Sequence, residues 1–373
     1  MKWVFWLSAL LIGYAYVGYP VWLWLRSRWS PRPIRRGPGE PVVSAVMVVK
    51  NEEDVIARKL ENLLTLNYPP ERLEVVVVSD GSTDRTVSIL DKCAQDSRVK
   101  VIEKAESRGK AAGLNDAIAA AQGEILLFTD ARQQIEPDAL RLLIENFSDA
   151  EVGVASGELM LGDPASGETQ KGMGLYWRIE KKIREMESAS GSVAGATGAI
   201  YCARRSLLDP LPEGTILDDV LLPMQAVCKG SRVIFDSRAQ AWDSPDLGGS
   251  REFSRKVRTL SGNYQLLQIA PWLLSSKNVI RFEFISHKLM RLVVPFGLLA
   301  LFIACIFLSS PFYRAMLVAQ IVFYGLSLLA LGGIKVGPLS RIADPARTFV
   351  VLNTAALVAF VNFVTGKKAV WAR

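Results

Sequence analysis

A single histidine in 373 residues leaves little room for imidazole chemistry. That residue, His287, stands in a basic amphipathic stretch ahead of an apolar run and reads as structural rather than catalytic. The four cysteines, Cys93, Cys202, Cys228 and Cys305, show no metal-ligand spacing, which excludes a zinc framework, and a reducing compartment would keep them as thiols. No internal repeat is evident, which argues against a solenoid. The chemistry therefore falls to carboxylates, lysines, arginines and hydroxyls.

Apolar residues are plentiful but unevenly spread, and the net charge is +7. Residues 3–25, "WVFWLSALLIGYAYVGYPVWLWL", carry no charge and exceed the roughly 20 residues needed to cross a bilayer. They lack a small-residue cleavage site, so residues 1–25 read as an uncleaved anchor. Arg26, Arg28, Arg32, Arg35 and Arg36 follow in a linker over 26–40 that Pro31, Pro33 and Pro38 stiffen. Basic residues flanking a span mark its cytoplasmic side, which puts the middle of the chain in the cytoplasm. Three more apolar runs, 289–309, 313–332 and 347–364, make a second membrane region over 289–366 and would leave the tail, 367–373, outside. Lys367, Lys368 and Arg373 in that tail run against the charge rule.

The middle, 41–250, reads as a soluble α/β domain. "VVSAVMVV" and "LEVVVVSD" are continuous β-branched runs of strands buried on both faces. Between them, Ile56, Leu60, Leu63 and Leu64 recur at helical spacing. "KVIEK" predicts a strand, "KAAGLNDAIAAAQ" a helix and "EILLFTD" another strand. This alternation implies a mostly parallel sheet with right-handed crossovers, which binds ligands beyond the carboxyl ends of its strands. Asn51, Asp80 and Asp130 fall there.

Asp80 precedes the turn at Gly81, so its carboxylate can accept hydrogen bonds from a base or ribose. Ser82, Thr83 and Asp84 instead suit the free N–H groups of the following helix. Asp218 and Asp219 open an amphipathic helix, either as acids favoured in a first turn or as a general base raised in pKa by its like-charged neighbour. In "REFSRKVRTLSGNYQLL", Phe253, Val257, Leu260, Tyr264 and Leu267 make one stripe, with Arg251, Arg255 and Arg258 nearly opposite. An amphipathic helix lying at a membrane surface, within 251–288, fits this pattern.

"VKNEEDVI", "NYPPERLEVVVVSDGSTDRT", "RGKAAGLNDAI" and "FTDARQQIEPDAL", in this order, closely resemble family 2 glycosyltransferases of the GT-A fold. With its flanking spans the chain is similar to bacterial membrane synthases of cellulose, chitin and poly-N-acetylglucosamine. The resemblance implies a Rossmann-like GT-A catalytic domain plus an α-helical transmembrane region in a bacterial plasma membrane. It implies Asn51 and Glu53 near the nucleotide, Asp80 on uracil or ribose, and Lys110 toward the diphosphate. Asp130 matches the first acid of the family's D-x-D and would meet a divalent cation, Mg²⁺ or Mn²⁺. Arg132 stands where the second acid belongs, yet one carboxylate with donor phosphates can suffice for Mg²⁺. Asp219 matches the base, with Asp218 beside it. Arg255, Arg258 and Thr259 occupy the family's Q-x-x-R-W, retaining only the arginine that holds the diphosphate. The implied partners are a nucleotide sugar, expected to be a UDP-sugar, a glycan or lipid-linked acceptor and the bilayer, without nucleic acid. A single-addition glycolipid transferase and a non-catalytic sugar-nucleotide-binding scaffold are the competing readings.

Overall fold

The computed structural model describes residues 1–163, 168–169, 175–244, 249–333 and 340–367. The side chain of Arg251, most of the linker after residue 333 and the tail from 368 lie outside the described residues.

Strands β1 (Val43–Val49), β2 (Leu73–Asp80), β3 (Val99–Lys104) and β4 (Ile125–Phe128) pair in parallel in the order β3-β2-β1-β4. All seven residues of β1 are buried. A fully buried valine contributes on the order of 1.5–3 kcal/mol, so the unbroken apolar runs are what place these strands at the centre. Crossover helices α1 (Ile56–Leu64), α2 (Thr86–Cys93) and α3 (Lys110–Ala120) follow β1, β2 and β3.

Beyond β4 the sheet turns mixed. A two-residue strand, β5 (Gln134–Ile135), and the helix α4 (Ala139–Glu145) lead into the long β6 (Val152–Asp163), with β7 (Glu168–Thr169) paired to its end. After the helix α5 (Leu175–Ser190), β8 (Tyr201–Arg204) runs antiparallel to both β4 and β6. Helix α6 (Asp218–Cys228) leads to β9 (Arg232–Asp243), which is parallel to β6 and antiparallel to β5. The expected parallel sheet is thus the N-terminal half of a larger mixed one.

Helix α7 (Gly249–Ile269) joins this domain to the apolar helices. Gly262 lets it approach α6: a Cβ there would stand 2.5 Å from a Leu217 side-chain carbon. Tyr264, on the expected apolar stripe, stacks on Phe363 at 5.2 Å, so that stripe faces the C-terminal helix. The buried face is Ser261, Asn263 and Leu266 rather than an arginine row.

Among the described residues, four helices are long and apolar enough to cross a membrane by length and composition: Lys2–Trp29, Arg281–Phe307, Pro311–Leu331 and Ile342–Val364. The first two carry π-helical turns at Tyr14–Gly18 and Ile285–Leu289. The basic linker is docked rather than simply solvated. Arg26 pairs with Glu283, Arg32 with Glu151 at 3.0 Å, and Arg36 with Asn146 at 2.9 Å.

Candidate active site

Strands β1, β4 and β8 meet α3 and α6 around a small pocket lined by Lys110, Phe128, Asp130, Gly198, Tyr201 and Asp218. Lys110 opens α3. Gly109 before it adopts φ +90°, a left-handed conformation that glycine reaches without a Cβ penalty. Its ammonium lies 2.9 Å from Asp130 Oδ1 and 3.2 Å from Asp218 Oδ2. Burial opposes the charge of Lys110, but the carboxylates of Asp130 and Asp218 outweigh it and raise the lysine above its ordinary pKa. It stays an ammonium in neutral solution.

Asp219 is the second residue of α6 and has its carboxyl pushed up to about 6, first by burial and then by Asp218. Lys110 and Lys288 pull in the other direction. The like-charge neighbour that the sequence suggested is therefore the lesser cause. Pro223 lies four residues on inside the same helix and has no N–H to offer the Asp219 carbonyl. That carbonyl accepts instead from the Ala196 N–H at 2.7 Å. The contact folds the 195–198 loop over the acid, where Gly198 leaves room: a Cβ there would be 3.3 Å from Asp219 Oδ2. The glycine-rich stretch before Tyr201 thus packs on the candidate base.

The other sequence candidates separate into two groups. Asn51, Glu53 and Asp80 hold loops of the site. Asn51, at φ +55°, accepts from the Thr83 N–H at 2.8 Å, and Glu53 accepts from the backbone and side chain of Arg85, both at 3.0 Å. Asp84 accepts from the N–H of Thr86, the first residue of α2, at 2.9 Å, although the N-cap position itself is Arg85. Asp80 is 1% exposed and accepts from Ser107 Oγ, Arg108 N and Gly109 N at 2.7–2.9 Å. Its carboxylate fastens the loop that presents Lys110. Arg255 is exposed and Arg258 half-buried, and among the described residues neither pairs with the acids of the pocket.

Three participants escape sequence reading. Lys59 sits on the apolar face of α1, 1% exposed, and donates to Thr129 Oγ1 at 2.8 Å and Gln133 O at 2.7 Å. It braces the loop carrying Asp130, and burial holds its ammonium down to about 7. Glu52 is raised by burial, with Arg132 opposing and Asp130 reinforcing, which brings the arginine of "DAR" near this acid. Tyr201 stacks on Phe128 with centroids 4.5 Å apart, and its buried hydroxyl has no partner among the described residues. A lysine in an apolar helical stripe was the only available signal for Lys59; a lone strand tyrosine gives none.

Among the described residues no group of three or more His, Cys, Asp or Glu could hold a metal. Asp130 fits a more modest role. Its side chain is 43% exposed and only Oδ1 is engaged by Lys110, so Oδ2 can meet a cation carried by phosphates.

Comparison with known proteins bears on the sequence and the fold. The description "Glycosyl transferase family 2" matches residues 44–211. A beta-monoglucosyldiacylglycerol synthase of Synechocystis is 30% identical over 191 residues, 50% of this chain and 40% of that protein. A poly-beta-1,6-N-acetyl-D-glucosamine synthase of Staphylococcus aureus is 25% identical over 231 residues, 60% of this chain and 55% of that one. The chain thus spans about half the length of the curated relatives it matches. In fold it is similar to the mannosyltransferase PcManGT of Pyrobaculum calidifontis, solved with GDP-Man and Mn²⁺. The TM-score is 0.74 at 24% identity, covering 96% of this chain and 99% of that one. Residues 44–211 are thus a glycosyl transferase family 2 domain on a GT-A-like fold.

Proposed function

We propose that the chain is a membrane-bound inverting glycosyltransferase that moves a sugar from a nucleotide donor to a hydroxyl of a glycan or lipid-linked acceptor. The observation that carries this reading is the convergence of Lys110, Asp130, Asp218 and a raised Asp219 at the ligand-binding edge of the sheet. Asp219 takes the proton from the acceptor hydroxyl. The oxygen then attacks the anomeric carbon from the face opposite the leaving group, and the bond from that carbon to the diphosphate breaks. Lys110 meets the charge that develops on the departing nucleoside diphosphate. A carboxyl near 6 is ionised in neutral solution yet basic enough to accept a proton in the transition state.

Asp130 would hold a divalent cation, and such a cation supplies Lewis-acid neutralisation of the diphosphate. The relatives' names, a glucolipid synthase and a polysaccharide synthase, support a hexose donor and bracket the acceptor class. We take the donor to be a UDP-sugar, in keeping with the sequence motifs. The four apolar helices support a multi-pass protein, and the arginines after the first support a cytoplasmic catalytic domain in a bacterial plasma membrane. The test is mass analysis of products from the purified chain with a panel of UDP- and GDP-sugars. Transfer from at least one donor supports the reading; hydrolysis alone or no turnover of any donor contradicts it.

A further inference from the structure

Beside the pocket, where α5 meets the helix Arg281–Phe307, lies a cluster of ionisable side chains that the transfer reaction does not use. Tyr176, Glu180, Arg184 and Glu187 follow one another on α5 at spacings of four, four and three, and so share a face. His287, Lys288 and Arg291 approach that face from the other helix. Arg291 reaches Glu180 at 2.7 Å and the Tyr176 hydroxyl at 3.0 Å. Arg184 reaches Glu180 at 3.3 Å. His287 lies between Glu180, at 3.2 Å, and Glu187, at 2.8 Å, and Glu187 also accepts from Tyr19 at 2.6 Å. From α7, Lys256 stands 5.3 Å over the Trp177 ring.

Among the direct contacts of the cluster, cations outnumber carboxylates. Arg184, Lys256, Lys288 and Arg291 face Glu180 and Glu187, and Glu187 is already engaged by Tyr19 and His287. Glu252 acts on Lys256, and Asp219 with Lys288, without a direct ion pair. Glu180 alone is shared by two arginines. Among the described residues Lys256 and Lys288 make no ion pair. Burial, with the charges of Arg255 and Arg291, holds Lys256 below its ordinary pKa despite Glu252 and Glu180. Partly buried cations of one sign are costly to keep together without a counter-charge.

Position says what the counter-charge belongs to. Lys288 and Arg291 lie toward the start of a helix long and apolar enough to cross a bilayer, the end of such a helix that would meet lipid phosphates. Toward the other side, Arg184 Nη1 donates to Thr197 Oγ1 at 2.6 Å, next to the Gly198 that packs on Asp219. Lys288 is also near enough for its charge to act on Asp219. An anion held here would sit between the membrane and the base.

We propose that Arg184, Lys256, Lys288 and Arg291 form a subsite for a phosphate or diphosphate group carried by a lipid-linked acceptor. The proposal rests on the glycosyl-transfer reading and narrows its acceptor: a neutral glycolipid leaves these cations unanswered, whereas a phosphate-bearing lipid fills the site while presenting a hydroxyl to Asp219.

The test is binding without turnover, so it stands apart from the reaction itself. The full chain in neutral detergent is titrated with a polyprenyl diphosphate, the matching polyprenol, inorganic pyrophosphate, phosphatidylglycerol and UDP. The readouts are Trp fluorescence and thermal shift, in the wild type and in Lys256→Met and Lys288→Met. These lysines break no ion pair when replaced, so folding is preserved and checked by the unliganded melting temperature. We expect the diphosphate lipid to bind at least tenfold tighter than the polyprenol and tighter than phosphatidylglycerol. Each variant should lose about tenfold or more for it, the scale of one charge-assisted hydrogen bond, with UDP affinity unchanged. Equal binding of polyprenol and diphosphate lipid, or unchanged affinity in both variants, overturns the proposal. So does phosphatidylglycerol binding as tightly, which makes the cluster a general lipid anchor. A parallel loss of UDP or pyrophosphate without any lipid preference assigns the cations to the donor and overturns it as well.

Discussion

The backbone N–H of Ala196 donates to the carbonyl of Asp219 at 2.7 Å, in the place of the helical bond that Pro223 cannot supply. A proline that should weaken α6 thus frees an acceptor that ties a glycine loop to the candidate base. Pro223→Ala gives the helix its missing donor and sets it in competition with Ala196. We expect the melting temperature to hold or rise, because alanine is the better helix former. Transfer should fall about fivefold, the rate equivalent of the ~1 kcal/mol net worth of one hydrogen bond. A wild-type rate constant would show that the loop contact has no bearing on the base.

The pH profile follows from the acid pair. Asp219, raised to about 6, must be ionised to act as base, so activity should fall as pH drops through that value. Lys110 holds the pKa down, so removing its charge raises it further. In Lys110→Met the acidic limb of kcat/KM should move to higher pH, in addition to a loss of rate. An acidic limb that stays in place would separate Lys110 from Asp219.

Lys59 affords a stability test with a defined sign. Its folded-state pKa near 7 lies below the ordinary lysine value of about 10.4, so the folded chain binds fewer protons than the unfolded chain between them. Its contribution is fully present above the ordinary value and is lost as pH falls toward 7. Lys59→Met should flatten the rise of melting temperature between pH 7 and 9.5 relative to wild type. It should also loosen the Asp130 loop and raise the donor KM. Parallel melting curves for the two proteins across that range would contradict a buried, depressed lysine.

Asp130→Asn should abolish the Mg²⁺ and Mn²⁺ dependence of donor binding, because a neutral amide is a poor partner for a hard cation. Isothermal titration of donor with and without metal reads this directly. Unchanged metal dependence in the variant would place the cation away from Asp130.

How far these features were legible in the sequence depended on the signal each one leaves. Strands β1, β2 and β4 could be read because burial on both faces demands unbroken apolar runs, and α1 because Ile56, Leu60 and Leu63 keep helical period. Beyond residue 150 that signal fades. Helix α5 carries a polar stripe against His287 and Arg291, so its buried face contains glutamates and an arginine rather than leucines. The antiparallel β8 is four residues long and set by pairing with β4, which sequence period does not reveal. Asp130, Asp219 and Lys110 were legible through motifs. Lys59 was not, since a lysine at helical spacing reads as an exposed residue until its partners, Thr129 and the Gln133 carbonyl, are known. Arg255 and Arg258 came from a periodic cationic row, whereas the packed face of α7, with Gly262 and Leu266, carries no comparable sequence signal.

If Asp219 is the proton acceptor in glycosyl transfer, Asp219→Asn under single-turnover conditions separates donor binding from the transfer step. The substitution keeps the shape of α6 and the Ala196 contact to the backbone carbonyl. Donor affinity should stay within about twofold of wild type while the transfer rate falls by roughly 10²-fold or more, the scale of general-base catalysis. A variant that binds donor and transfers at near the wild-type rate would contradict it and return the acid pair to the stabilisation of a helix end.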